Sequence, residues 1–390
     1  MTESRKPSTR DVRLDFFRGL SLFLIFIDHI PENILGNFTL RAFAFSDAAE
    51  VFIFISGFTA AQVYSRTGEV KGWAFGSAQI LRRVWQLYIA HIAMFMVFMA
   101  EVSYSVQQFD NPLFNDELRV GDFLAEPHIA IGKALTLEFQ PPFLDILPLY
   151  IVLLLFLPLV LFLLRRNLWL ALIPSAALYI VVRITKMDLP AYPEGHSWFF
   201  NPLAWQFLFI SGAVLGQSSA RGVSLPALSR ALMPVAIVVL GVAVVVRLSW
   251  TLSGLWDGFP TLLLKELWPV NKTDLSPIRL VPFLATVVLV AAWVRPDEPF
   301  MRTRLARPFV RAGAQSLEVF CLGIVLSALG HFILAEYASG WAMQIVVNFV
   351  GIGAMLMTAK MLDWYKAMDR VPTPRPATVM RPGRGDEAPL

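Results

Sequence analysis

The sequence predicts an all-α polytopic membrane protein: a bundle of about ten transmembrane helices with both termini cytoplasmic. Three observations lead there. The chain is 56% hydrophobic and only 16% charged, with a mean hydropathy of +0.59, whereas soluble domains hold roughly 45–50% apolar and about 25% charged residues. Its apolar residues fall into ten runs separated by polar segments. Its lysines and arginines alternate between many and few from one segment to the next.

The runs lie at 14–30, 48–65, 84–103, 143–164, 167–182, 202–217, 232–248, 278–294, 313–334 and 340–362. A crossing takes roughly 20 mostly apolar residues, and in hydrocarbon the backbone must satisfy its own hydrogen bonds, so each run is expected to be a helix. The first follows a basic start. It reads as a retained helix rather than a cleaved leader, because no small-residue cleavage site follows His29 and many more runs do. The second holds a Ser56-Gly57 pair, which lets another helix approach closely. Arg82 and Arg83 stand before the third, and Arg165 and Arg166 separate the fourth from the fifth.

With the N-terminus inside, the inner segments hold 23 lysines and arginines and the outer ones 9, with Arg18 inside the first helix. That bias supports ten crossings and two cytoplasmic ends. The outer loop 104–142 is acidic, through Asp110, Asp116, Glu117, Asp122 and Glu126. The loop 249–277 carries Trp250, Trp256 and Trp268 and reads as an interfacial or re-entrant segment. The Pro-, Arg- and Gly-rich end from 371 reads as disordered. The domains expected are a cytoplasmic segment 1–13, a membrane domain 14–362 and a cytoplasmic tail 363–390, with no repeat and no separate soluble domain. A single cysteine, Cys321, excludes a disulfide framework and a cysteine-based zinc site. The chain holds no P-loop, HExxH or GxSxG motif.

Charges inside a spanning helix cost at least about 2.5–3.5 kcal/mol each at its centre and need a reason. The first helix carries Asp15, Arg18, Asp28 and His29. At about 100° per residue Arg18 and His29 point within about 20° of each other, roughly 16 Å apart along the axis. This polar stripe is either a packing seam with Asp15 paired to Arg18 or a site that crosses the membrane. Glu50 opens the second helix and shares a face with Gly57, beside Ser56. Ser56 and Gly57 suit helix packing and a site equally well, and Glu50 favours a site. Arg82 and Arg83 mark topology or hold an anionic ligand. His91, His128 and His331 read as ordinary packing or loop residues. The stretch from Glu194 to Gln206, with His196, Asn201 and Trp205, mixes rings, amides and a carboxylate. Such a mix suits a bound sugar and also an interfacial belt.

The stretch from Arg13 through Asp15-Phe16-Phe17-Arg18-Gly19 to Asp28-His29 resembles the opening of the OpgC family, membrane proteins that succinylate periplasmic glucans. It is also similar to the wider acyltransferase-3 superfamily. Further matches come in the same order: Phe52 to Phe58 with Ser56-Gly57, the Arg82-Arg83 segment, Asn201-Pro202-Leu203-Ala204-Trp205-Gln206, and Ala314 to Phe320. The resemblance covers about residues 10–362. Gly323 stands where the superfamily often has a histidine, and Gln86 where it has a further arginine. The first departure tells against a two-histidine scheme, the second against a three-arginine clamp.

The resemblance implies an acyltransferase of the bacterial inner membrane. It would move succinyl or a similar group from cytoplasmic acyl-CoA to a hydroxyl of a periplasmic glucan. His29 is the implied base, with Asp28 or Glu50 orienting its ring or stabilising its charge. Asp15, Arg18, Arg82, Arg83, Ser56, His196, Asn201 and Trp205 are the implied substrate-binding residues, the arginines toward the CoA phosphates. The expected partners are the lipid bilayer, acyl-CoA and the glycan, with no nucleic acid, no metal and no permanently bound cofactor. A transporter of an envelope glycan and a structural subunit of a glycan-making machine are the alternatives. A transporter predicts internal repeats, and none is visible.

Overall fold

A computed structural model describes residues 11–109, 120–223, 225–254, 256, 258–295, 298–337 and 339–368. Each of the ten apolar runs is largely helical. They are α1 (Val12–Asp28), α2 (Ala48–Lys71), α3 (Trp73–Phe109), α4 (Ile146–Arg166), α5 (Leu168–Thr185), α6 (Pro202–Ala220), α7 (Leu225–Ser253), α8 (Pro277–Trp293), α9 (Ser316–Glu336) and α10 (Trp341–Met368). Among the described residues seven of these, all but α1, α6 and α8, are long and apolar enough to cross a membrane. Their outward faces carry Val238 and Val242 on α7, Ile173 on α5 and Phe349 on α10, all exposed. Rows of this kind suit lipid and would be a liability in water. The acidic residues Asp110, Asp116 and Glu117 and the tail beyond 368 lie outside the described residues.

Two glycine seams set the packing. A Cβ at Gly57 on α2 would strike the Phe209 carbonyl oxygen, and Cβ atoms at Gly212 and Gly216 on α6 would strike those of Phe54 and Phe58. The two backbones therefore touch, as the Ser56-Gly57 pair predicts. The second seam joins α1 to the short helix Arg307–Ala314. There Gly19 faces the Phe309 carbonyl and Gly313 faces that of Asp15. The expected single run at 313–334 is thus two helices. They break at Gln315 (φ −111°, ψ 38°), whose buried side chain takes a hydrogen bond from Lys366 of α10.

The remaining elements close one end of the bundle. A short helix Pro127–Leu135 and a two-stranded hairpin, β1 (Pro190–Ala191) and β2 (His196–Ser197), lie there. The 249–277 segment returns to the same end. Its residues 271–276 are pinned from below, by Tyr179 donating to the Leu275 carbonyl at 2.7 Å and by Trp205 Nε1 donating to the carbonyls of Lys272 and Thr273, each at 3.1 Å. Trp256 and Trp268 stay exposed on this segment, as an interfacial placement requires.

Candidate functional site

Two cavities lie one above the other inside the bundle. The upper one, about 360 Å³, sits at the closed-off end. The lower one is about 170 Å³. The same four helices wall both. Passing from upper to lower, the lining moves from Ile25 to Arg18 on α1 and from Ala49 to Phe52 on α2. On α4 it moves from Ile146 to Leu147, and Phe320 of α9 lines both.

His29 caps the C-terminus of α1 and lines the upper cavity. Its Nδ1 lies 2.6 Å from the Ile25 carbonyl oxygen. A carbonyl only accepts, so Nδ1 carries the proton, and a neutral ring keeps its lone pair on Nε2. Phe143 packs edge-on against the imidazole, with centroids 4.9 Å apart. Phe143 holds φ at 75°, an unusual backbone for a bulky residue that marks a constrained position. The ring of His29 is therefore oriented by a backbone carbonyl and a phenyl group.

That changes the parts expected of Asp28 and Glu50. Asp28 accepts from Thr39 Oγ1 at 2.7 Å and meets Arg41 Nε at 3.2 Å, so it ties α1 to the following loop. It still lines the cavity. Glu50 is fully buried and does not line it. It completes a capping box with Asp47 and accepts from Arg279 of α8 at 2.7 Å. Asp47 in turn meets Arg279 at 3.0 Å and Lys272 at 2.7 Å. Two carboxylates and two cations close on themselves, as buried charges must. Burial works to raise the Asp47 carboxyl, but Lys272 and Arg279 outweigh it and hold the group well below the usual carboxylate range. Asp145, immediately before α4, also lines this cavity, and there burial outweighs the charge of Lys272 and pushes the carboxyl up to about 6.

The 194–206 stretch does reach the cavity, but through different residues from those expected. Asn201 and Trp205 are fully buried beneath it. Asn201 caps α6 and donates to the Met187 carbonyl at 2.8 Å, while Trp205 holds the Lys272 segment as described. Both are scaffold, because each polar atom already has a protein partner. His196 is exposed on β2, its Nδ1 3.2 Å from the Pro193 carbonyl, and it is not part of the lining. Trp198, Phe199 and Phe200 line the cavity instead, with Lys272 Nζ 5.8 and 5.2 Å from the two phenyl rings.

The lower cavity gathers two of the arginines, Arg18 and Arg83. Arg18 donates to Thr59 Oγ1 at 2.7 Å and lies 3.8 Å from Asp15. Arg83 faces the same space and donates to Gln86 at 3.3 Å. Ser56, Tyr64 and Ser316 add hydroxyls to the wall. Arg82 is exposed and does not line the cavity. Adjacent helix positions differ by about 100°, and here Arg83 turns to the cavity while Arg82 turns away from it. Cys321 lines neither space.

Arg41, Asp145, Phe143 and Lys272 in the upper cavity and Thr59 and Phe320 in the lower went unread as site residues. Arg41 and Lys272 read only as outer-loop charges, and Phe320 only as the last residue of the Ala314 to Phe320 resemblance. The Pro141-Pro142-Phe143-Leu144-Asp145 stretch was the available signal for a constrained turn.

A family model described as OpgC protein matches residues 10–367, nearly the whole chain. No curated protein and no solved structure matches.

Proposed function

This chain belongs to the OpgC family, and from that premise we propose that it is an inner-membrane O-acyltransferase. It takes a succinyl or similar group from cytoplasmic acyl-CoA and places it on a hydroxyl of a periplasmic glucan. The proposal includes ten crossings with both termini in the cytoplasm. The upper cavity then opens toward the periplasm and the lower one toward the cytoplasm. The observation that carries the reading is the pair of stacked cavities on one set of helices, His29 in the upper and Arg18 with Arg83 in the lower.

The chemistry follows from those placements. A glucan unit enters the upper cavity against Trp198, Phe199 and Phe200. Nε2 of His29 takes the proton of a hydroxyl, which is otherwise a weak nucleophile. The freed oxygen attacks the thioester carbonyl, the C–S bond breaks, and the proton passes from the imidazolium to the CoA sulfur. Arg18 and Arg83 hold the anionic donor from below. Direct transfer is the simplest course, and Cys321, which lines neither cavity, is no nucleophile in it.

The test is mass spectrometry of periplasmic glycans from cells lacking the gene, with and without a complementing copy. The expected result is a mass loss of one acyl group, restored by wild type and not by His29→Ala. Unchanged acylation with altered glycan location would favour the transporter, a reading that two cavities divided by a wall also suit.

A further inference from the structure

The wall between the cavities is aromatic and thin. Phe320 is the one residue of α9 that faces both spaces. Its ring stacks on Phe52, with centroids 6.2 Å apart and planes 28° apart. Tyr150 meets the other side of this pair, 6.3 Å from Phe52 and edge-on. Phe320 and Phe52 are buried, and neither carries a polar atom. The lining residues immediately above and below them differ by a turn or less on α2 and α4.

We propose that Phe320, seated on Phe52, is the partition across which the acyl group passes, and that it keeps water in the upper cavity away from the thioester in the lower. The inference rests on the transferase reading. A stacked pair of phenyl rings excludes water, and rotation of one ring off the other opens a path for the donor. In the coupled reaction a C–O ester bond forms as the C–S bond breaks. Were the partition lost, water oxygen would replace the glucan oxygen, releasing free acid and CoA thiol. Phe320 is thus a positioning residue, and coupling between donor cleavage and glucan acylation is the property it governs.

Accessibility tests the partition without relying on the chemistry. In a Cys321→Ser background, Ser56→Cys places the single thiol on the lower cavity. A membrane-impermeant thiol reagent applied to the outer face of spheroplasts is expected to label it at least tenfold faster with Phe320→Ala than with Phe320, and no faster with Phe320→Trp. Equal labelling across all three overturns the partition. The second arm uses the otherwise unaltered chain in nanodiscs with succinyl-CoA. Phe320→Ala is expected to raise glucan-independent CoA release severalfold. Phe320→Trp is expected to lose glucan acylation more than tenfold while binding succinyl-CoA within twofold of wild type. If the alanine variant does not fold, Phe320→Leu replaces it in both arms. Wild-type protein that never acylates glucan overturns the transferase reading. Wild-type acylation with unchanged coupling in the variants overturns the partition alone.

Discussion

The charges at the two ends of this bundle are handled in opposite ways. Around the upper cavity the carboxylates of Asp47 and Glu50 meet Lys272 and Arg279 at 2.7–3.0 Å, and the group is neutral as a set. Around the lower cavity Arg18 donates to a threonine hydroxyl and lies 3.8 Å from the Asp15 carboxylate, and Arg83 meets an amide. The first arrangement fastens α2 to α8 and to the Lys272 segment. The second sets two arginines on the wall of a cavity, where an anionic ligand can reach them. A buried charge is therefore not by itself a sign of chemistry; the partner decides.

The largest effect should come from opening the neutral set. Arg279→Ala leaves Glu50 and Asp47 short of a cation, and breaking a buried pair costs about 3–5 kcal/mol. We expect a large drop in melting temperature in detergent, with most of it recovered when Glu50→Met accompanies Arg279→Met. If Arg279→Ala melts like wild type, the closed set is not structural. Next, Arg83→Ala should weaken acyl-CoA binding roughly tenfold, the cost of one charge-assisted hydrogen bond, with the melting temperature unchanged. Arg82→Ala should bind as wild type. Equal effects from both arginines, measured by acyl-CoA titration, would remove the distinction between them. Trp205→Phe should cost about 1–2 kcal/mol through its lost hydrogen bonds to the Lys272 segment, with the KM for glucan unchanged. A raised KM with full stability would return Trp205 to the sugar site.

The smallest effect separates two carboxylates of one cavity by pH. Asp145 sits at about 6 in the folded protein, above the unfolded value of about 3.9. The folded state then binds more protons across that window, and stability falls as pH rises through it. Asp47 is held down, so its contribution is present at neutral pH and is lost on acidification. Asp145→Asn should therefore melt higher than wild type at pH 7 and no higher at pH 4. A melting difference that does not change with pH would mean Asp145 is not so buried.

Much of the site was legible because it is local. His29 and Arg18 lie on one helix, so period alone places them at two levels on one side. Ser56-Gly57 announced a close helix approach, and the Gly57 contact with the Phe209 carbonyl is that approach. What was not legible depends on distant residues. Glu50 looked like a catalytic carboxylate because nothing near it in the chain shows Arg279, 229 residues on. Asn201 and Trp205 looked like sugar contacts because burial under a returning loop leaves no local mark. Their neighbours Trp198, Phe199 and Phe200 had the same composition, and only the packing shows that these three line the cavity.

The sequence by itself determined that the apolar runs become helices, because in hydrocarbon the backbone has no partner outside its own segment. It also placed His29 at one end of α1 and Arg18 toward the other. Only the tertiary structure decided which charges cancel, which arginine of a pair turns inward, and that one phenyl ring, Phe320, stands between the two cavities. Those outcomes are set by which helix packs against which. Contacts between residues hundreds of positions apart have no period for a sequence to display.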